Sequence, residues 1–262
     1  MTFPLAREYD EIMKASDATL LSRLPHQVRL THVAETISTN EDAKKAAREG
    51  APDYTLLIAD RQTGGKGRLG RSFYSEGGLY MSILLPFRED FSLVTPVAAI
   101  AVARAIESVC GVKSDIKWVN DVYVRGKKVC GILAESAVAG DKRRIVLGIG
   151  VNLNTPANSF PEEIRRVAGS VSGDRNLLAA SILEHLFSLL DREDSDHIRR
   201  EYIERCFLVG HRVNVKKENG CIPATVLGLT DTLALSVRYD DGEREDLIAG
   251  EVSIGLFEGE SR

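Results

Sequence analysis

Runs of apolar residues and helical repeats divide most of the chain into short, regular elements. Continuous or alternating apolar positions predict strands at residues 28–33, 56–59, 79–85, 115–124, 129–135 and 145–154. Apolar residues at helical spacing predict helices at residues 41–48, 94–109, 178–189 and 195–207. Connections of hairpin length favour a mostly antiparallel sheet over a doubly wound parallel one. The pattern therefore predicts an α+β fold, a mixed sheet flanked by helices.

The pattern changes near Gly210, where helical spacing gives way to closely spaced strands. Short strands are predicted at residues 212–215, 224–227, 233–237 and 250–254. Turn signals such as Asn219-Gly220 and Asp241-Gly242 separate them. This is typical of a small all-β barrel of about 50 residues. We therefore expect two domains, residues 1–208 and 209–262, with residues 1–27 forming a short helical arm.

Composition narrows the classes of protein to which the chain can belong. Its 262 residues suffice for one large domain with a small companion. A net charge of −4 argues against broad binding to nucleic acid. The cysteines contain no Cys-x-x-Cys pair, which predicts neither zinc nor a disulfide framework and favours a reducing cytoplasm. No apolar run approaches the ~20 residues of a membrane span, and the N-terminus does not resemble a secretion signal.

The most informative stretch follows the predicted strand 56–59 and combines glycine with positive charge. From Asp60 to Arg71 the chain carries Arg61, Lys66, Arg68 and Arg71 against one acidic residue, a local charge of +3. Four glycines are interleaved with these cations. Glycine allows close approach of the backbone to a ligand, and lysine and arginine donate to anions such as phosphate. The stretch predicts an anion-binding loop; a solvated basic hairpin loop is the alternative.

Two familiar phosphate motifs do not account for this loop. Gly65-x-Gly67-x-x-Gly70 matches the dinucleotide fingerprint, but a strand-like run at 79–85 follows instead of the required helix. A Walker loop is excluded because Lys66 is followed by Gly67 instead of Ser or Thr.

Two further polar segments interrupt the regular elements. Ser38, Thr39 and Asn40 lie where a strand meets a helix. Ser38 and Thr39 each fit a capping box and could cap the helix, or the three residues could surround a small polar ligand. Lys117 lies in a strand-like run beside the chain's only tryptophan. It is either a strand-edge lysine with its ammonium group in water or a cation of the site.

In combination, four segments resemble motifs of the biotin protein ligases. Residues 38–40 resemble the family's strand-end polar triplet, and residues 62–71 its basic glycine-rich loop. Residues 117–121 (KWVND) resemble its lysine motif, and residues 148–152 (GIGVN) its inner-sheet strand. The match implies a catalytic domain like those of class II synthetases and biotinyl–lipoyl ligases.

The last part of the chain is also similar to this family. Residues 249–254 resemble the end of its SH3-like C-terminal domain. Because residues 1–27 are too short for a winged DNA-binding domain, the resemblance is to the form that only ligates. Three residues depart from the usual pattern: Val119 replaces proline, Phe73 replaces tryptophan and Lys66 replaces arginine. These changes affect fine geometry and leave the charges in place.

The resemblance implies an ATP-dependent ligase that forms biotinyl-5′-AMP and transfers biotin to a lysine of a biotin carboxyl carrier domain. Its substrates would be biotin and ATP, with Mg²⁺; the metal ligands are unknown. The implied biotin-binding residues are Ser38, Thr39, Asn40, Gln62, Lys66, Gly67, Arg68, Lys117 and Gly131. The implied ATP- or adenylate-binding residues are Arg68, Arg71, Lys117, Asn120 and Asn152.

Lys117 and Arg68 are the predicted catalytic residues, because both reactants of the first step are anions that a cation must bring together. We also expect residues 64–71 to order over the adenylate and exclude water. Two alternatives remain: a lipoate or octanoate ligase of related fold, and a non-enzymatic regulator that responds to biotin. The resemblance implies no partner among nucleic acids or membranes, and it leaves a homodimer open.

Overall fold

The computed structural model describes most of the chain between residues 20 and 253. The described residues are 20, 22–24, 27–68, 73–74, 77–140, 142–191, 194–217, 220–248 and 252–253. Most of the arm predicted over residues 1–27 lies outside this set, and so does Arg71.

The predicted mixed sheet is confirmed. Its strands are β1 (Arg29–Thr36), β2 (Thr55–Gln62), β3 (Leu79–Pro86), β4 (Asp115–Lys117), β5 (Asp121–Val124), β6 (Lys127–Ala139) and β7 (Lys142–Val151). Their order is β1-β2-β3-β7-β6-β5-β4. Only β1 and β2 run parallel; the other neighbours are antiparallel.

Helices cover both faces of this sheet. They are α1 (Thr39–Arg48), α2 (Phe91–Cys110), α3 (Glu162–Arg165), α4 (Arg175–Asp191) and α5 (Ser195–Arg205). The alanines of α1 pack on Leu84 and Val146 on one face. The larger core on the other face holds α2 and α4. Since both faces are covered, β3 is apolar along nearly its whole length and buried from Leu79 to Leu85.

Helix α2 corrects one expectation drawn from the sequence. By length and composition alone, Phe91–Cys110 is apolar enough to cross a membrane, although no apolar run was expected to approach that length. In the structure, 61% of its apolar window is buried inside the protein. Its hydropathy therefore matches that of a helix at the centre of a core.

A second antiparallel sheet follows the first one in the chain. It contains β8 (Arg212–Lys217), β9 (Gly220–Leu229), β10 (Leu235–Tyr239), β11 (Arg244–Leu247) and β12 (Val252–Ser253), in the order β11-β10-β9-β8-β12. Strand β11 was not predicted, because its sequence, REDL, has no apolar alternation. The domain boundary at 208/209 stays a prediction; the second sheet begins at Arg212.

The predicted strand at 115–124 is in fact two strands joined by a tight turn. β4 ends at Lys117 and β5 begins at Asp121, so Trp118, Val119 and Asn120 form the connection. β4 lies at the edge of the sheet, and Cys206 closes part of that edge through a bridge to Ile116. The lysine motif therefore lies where the sheet ends.

An ion-pair network joins α2 to α5 beside this edge. Glu201 accepts hydrogen bonds from Arg104 at 2.5 Å and from Arg205 at 2.9 Å, and Arg205 also binds Glu107 at 2.7 Å. Burial raises the pKa of Glu201, but the bonds from the two arginines outweigh burial, so its pKa lies below the ordinary value near 4.5.

Replacing Glu201 by glutamine should destabilise the fold by about 1–3 kcal/mol near pH 7, because partly buried Arg104 loses its carboxylate partner and Arg205 loses one of two, keeping Glu107. The lowered pKa means that the native carboxylate contributes this stability above pH 4.5 and loses it as the pH falls through the folded-state pKa. The destabilisation measured by urea unfolding should therefore shrink towards pH 3. Glu204→Gln, an exposed position on the same helix, is the control. An equal effect of both substitutions at pH 7 would contradict the prediction.

Candidate functional site

A cavity of about 140 Å³ opens between α1, the glycine-rich loop and the lysine motif. Strands β6 and β7 form its floor, and Val252 of the second sheet also lines it. The structure brings ten of the residues predicted from the resemblance together there: Ser38, Thr39, Asn40, Gln62, Lys66, Gly67, Arg68, Lys117, Asn120 and Gly131.

The floor contains glycines because side chains lie directly on it. A Cβ at Gly148 would be 2.0 Å from Asn40 Oδ1, and one at Gly150 would be 2.7 Å from the Phe73 ring. Gly150 pairs with Gly131 across the strands, so the ring of Phe73 lies over two adjacent residues without side chains. Phe73 thus keeps an aromatic ring at the position where the family usually has tryptophan.

Buried polar groups line the α1 end of the cavity. Gln62 Oε1 accepts from Thr39 N at 2.8 Å and lies 3.1 Å from Thr39 Oγ1. Ser82 Oγ lies 2.7 Å from Thr39 Oγ1 and 2.6 Å from Asn40 Oδ1. Ser38 is at the N-cap of α1 but makes no side-chain cap bond, so the helix-capping interpretation is wrong for Ser38. Ser82 was not predicted, because its strand is otherwise apolar.

Arg68 and Lys66 differ in how far their charged groups are exposed to water. Arg68 Nη1 is 3.4 Å from Asn120 Oδ1, and Asn120 donates to Ile132 O at 3.0 Å. Burial lowers the pKa of Arg68, against an opposing effect of Asp121. Lys66 is half exposed and pairs with Glu41 at 2.8 Å. The less solvated of the two loop cations is therefore Arg68.

Two contacts from other parts of the structure hold the lysine motif. Trp118 Nε1 donates to Leu233 O, between β9 and β10 of the second sheet, at 2.9 Å. Tyr202, which is buried in α5, donates to Val119 O at 3.1 Å. The peptide bond between Trp118 and Val119 is cis. These contacts position Lys117 and Asn120 at the cavity.

Lys128 is a fourth cation of the cavity, beside Lys66, Arg68 and Lys117, and it was not predicted from the sequence. Its Nζ lies 2.7 Å from Asp121 Oδ1, and both residues line the cavity. Lys128 falls between the turn at 125–127 and the strand predicted from residue 129, so neither element assigned it to a site. The available signal was a lysine placed directly before the apolar strand that carries Gly131.

Two predicted adenylate-binding residues are not among those that line the cavity. Arg71 lies outside the described residues. Asn152 is buried beside the floor and donates to Gly169 O at 2.9 Å. Within the described part of the chain its Oδ1 is buried with no hydrogen-bond partner. A buried acceptor without a donor is costly, so Asn152 Oδ1 is suited to receive a donor from a ligand.

The described residues contain no cluster of three His, Cys, Asp or Glu side chains that could hold a metal ion. All four cysteines, Cys110, Cys130, Cys206 and Cys221, are free thiols. Asp121 is the acidic residue in the cavity lining, and its Oδ1 is paired with Lys128.

Two family models match the chain at the positions of the two sheets. The Biotin/lipoate A/B protein ligase family matches residues 33–152. The Biotin protein ligase C terminal domain matches residues 208–255. The first match contains the polar triplet, the glycine-rich loop and the lysine motif; the second contains the strands of the second sheet.

Curated relatives and solved structures agree with these matches. The bifunctional ligase/repressor BirA of Bacillus subtilis is 31% identical over 235 residues, which cover 83% of this chain and 71% of the relative. The biotin–[acetyl-CoA-carboxylase] ligase of Mycobacterium tuberculosis is 31% identical over 210 residues, covering 73% and 76%. The biotin protein ligase of Aquifex aeolicus in complex with biotin and ATP is 29% identical, with a TM-score of 0.74 and coverage of 86% and 97%. Since family models match both sheets and two relatives are 31% identical over more than two thirds of their length, the chain belongs to the biotin/lipoate A/B protein ligase family, in the branch of the biotin protein ligases.

Proposed function

We propose that this chain joins biotin to a carrier protein in two steps within the cavity. In the first, the biotin carboxylate attacks the α-phosphate of ATP, which gives biotinyl-5′-adenylate and releases pyrophosphate. In the second, the neutral amine of an acceptor lysine attacks the acyl carbon, AMP leaves and the amine loses a proton. The proposal is supported above all by one observation: a buried polar set and four cations, Lys66, Arg68, Lys117 and Lys128, line the same cavity.

The α1 end of the cavity suits the ureido group of biotin. A ureido group has two N–H donors and a carbonyl acceptor, which must all be paired when buried. Thr39, Asn40 and Gln62 supply buried or half-buried hydroxyl and amide groups there. Thr39 donates to Gln62, and the hydroxyl of Ser82 contacts both Thr39 and Asn40, so these groups are already ordered. An apolar slot, as a lipoyl ring requires, would not carry this density of polar atoms.

The cations at the other end would bring the two anions together. Repulsion between a carboxylate and a triphosphate is strong where water is excluded, and fixed cations offset it without reorganising. We propose that Lys117 bridges the carboxylate and the α-phosphate and that Arg68 holds phosphate oxygens. Lys128 is placed to share this task, because it also faces the cavity.

The nucleotide base would lie near Phe73 and Asn152. The ring of Phe73 provides an apolar surface over the glycine floor. The buried Oδ1 of Asn152 could accept from an exocyclic amine, which adenine has. Mg²⁺ is expected to accompany ATP on its phosphates, where it offsets their charge; its ligands stay unknown.

The acceptor is expected to be the biotin carrier of a carboxylase. Two relatives, from Mycobacterium tuberculosis and Paracoccus denitrificans, are named biotin–[acetyl-CoA-carboxylase] ligases. A cytoplasmic location and a homodimer stay predictions, as does the absence of nucleic-acid and membrane partners. The same holds for the ordering of residues 64–71 over the adenylate.

Incubation with ATP, Mg²⁺, biotin and a biotin carrier domain tests the proposal directly. We expect the carrier to gain the mass of one biotinyl group at a single lysine, with release of AMP and pyrophosphate. Turnover of lipoate or octanoate alone would favour the related ligase activity. Binding of biotin without release of pyrophosphate would favour a non-enzymatic regulator.

Replacing Lys117 by alanine should lower the rate of adenylate formation by at least ~10²-fold, because an anion-bridging cation of a water-excluded site is lost. Pyrophosphate release in single-turnover assays measures this rate. Lys113→Ala, at an exposed position four residues earlier, is the control for the loss of a nearby positive charge. Near-normal pyrophosphate release by the Lys117 variant would contradict the prediction. If Lys128→Ala then loses this activity, the bridging cation is Lys128.

Replacing Arg68 by glycine should let the adenylate escape, because the phosphate would lose a poorly solvated partner in the loop. Labelling of lysines on a bystander protein, detected by mass spectrometry, measures the escape. Arg61→Gly is the matched control, since Arg61 pairs with Glu35 at an exposed site on β2. Labelling confined to the acceptor in both variants would contradict this role of Arg68.

A further inference from the structure

The described part of the glycine-rich loop, residues 63–68, contacts elements on two sides of the cavity. On one side, Lys66 Nζ lies 2.8 Å from Glu41 Oε1 in the first turn of α1. On the other side, Arg68 Nη1 lies 3.4 Å from Asn120 Oδ1 of the lysine motif. Lys66 and Arg68 line the cavity, whereas Glu41 is not among its described lining residues. The contact that ties the loop to α1 therefore involves a residue outside the cavity wall.

A second lysine holds the carboxylate of Glu41 in place for this contact. Lys44, three residues later on α1, lies 3.2 Å from the same Oε1 atom of Glu41. Lys44 is fixed in turn by Glu135 of β6 at 2.6 Å, and its side chain is only 19% exposed. An isolated exposed ion pair contributes little, because two flexible side chains must be ordered to form it. Since Lys44 already orders Glu41, mainly Lys66 has to be ordered when the loop docks on α1.

The charge of Lys66 is balanced by this carboxylate before any ligand arrives. The hydrogen bond from Lys66 is the largest influence on the pKa of Glu41 and lowers it; burial opposes this effect, and Lys44 lowers the pKa further. Glu41 is therefore a carboxylate at neutral pH. Arg68, by contrast, is less exposed to water and lies beside an uncharged amide. Of these two loop cations, Arg68 is the one whose charge is available to an anion in the cavity.

We infer that Glu41 is a positioning residue, which holds the glycine-rich loop against α1 through the ammonium group of Lys66. The resemblance assigns Lys66 to biotin, but in this chain its charge serves the loop and not the ligand. The inference rests on the proposed function in one respect: the loop held in this way retains the adenylate in the cavity.

The two possible roles of Lys66 predict opposite effects of removing Glu41. If the ammonium group bound the ligand, loss of Glu41 would release it for that purpose, and the ligand would bind more tightly. If the ammonium group anchors the loop, loss of Glu41 and loss of Lys66 remove the same interaction. The two substitutions then have similar effects, and combining them adds nothing.

The first measurement needs no ligand and compares Glu41→Gln, Lys66→Met and the double variant with the wild type. Hydrogen exchange of the backbone amides of residues 64–68, followed by mass spectrometry, reports how often this part of the loop opens. Exchange should become about two- to five-fold faster in each single variant, as expected for an exposed ion pair, and no faster in the double variant. Glu49→Gln, at the exposed C-cap of α1, should leave exchange unchanged.

The second measurement follows adenylate that each protein has formed from ATP, Mg²⁺ and biotin. Labelling of lysines on a bystander protein should be about two- to five-fold faster in the same two single variants, again without addition in the double variant. Added salt screens an exposed ion pair more than a buried one, so salt should speed the escape more in the wild type than in Glu41→Gln. Lys66→Arg keeps the charge and should remain close to the wild type.

The outcomes separate the inference from the function on which it rests. If the wild type releases no pyrophosphate from ATP and biotin, the proposed function fails, and hydrogen exchange alone decides whether Glu41 anchors the loop. If the wild type is active, an unchanged rate of either exchange or escape in Glu41→Gln overturns the inference. Slower escape or a lower KM for biotin in that variant also overturns it, as does an additive effect in the double variant.

Discussion

The close contact of the Asn40 side chain with the backbone of Gly148 is the constraint on which the site depends. The sheet is covered on both faces, and its strands would ordinarily carry side chains that fill the space under α1. Glycines on β6 and β7 instead leave room for Asn40 and for the ring of Phe73. A polar cavity inside an otherwise apolar sandwich follows from this arrangement.

The cations around this cavity differ in whether a carboxylate balances their charge. Lys66 and Lys128 are paired with Glu41 and Asp121, while Arg68 is half-buried beside an uncharged amide of Asn120. Because an unsolvated guanidinium group gains most from an arriving anion, the cavity is suited to bind a phosphate or carboxylate. The lysine motif is also held from outside the first sheet, through the bond between Trp118 and Leu233 beside the second sheet. Val252 of that sheet lines the cavity, so the second sheet contributes to the site.

Much of the fold and of the site could be predicted from the sequence. The helical repeats of α2 and α4 and the apolar runs of β2, β3 and β7 have strong periodic signals, because each element must bury a face or a whole strand. The glycine-rich loop and the polar triplet could be found because their residue types are costly unless they bind something. Short polar strands such as β11 could not be found, since edge strands at the surface need no apolar alternation.

The sequence by itself determined the elements, the charge of the loop and the family to which its motifs point. Only the tertiary structure decided which residues meet: Ser82 lies 42 positions from Asn40, and Glu135 lies 95 positions from it. Strand order and register bring these side chains together, and neither can be inferred from a local pattern, because the pairing of distant strands depends on the packing of the whole core. The same reason explains why Lys128, which lies between a predicted turn and a predicted strand, was not assigned to the site from the sequence but lines the cavity in the fold.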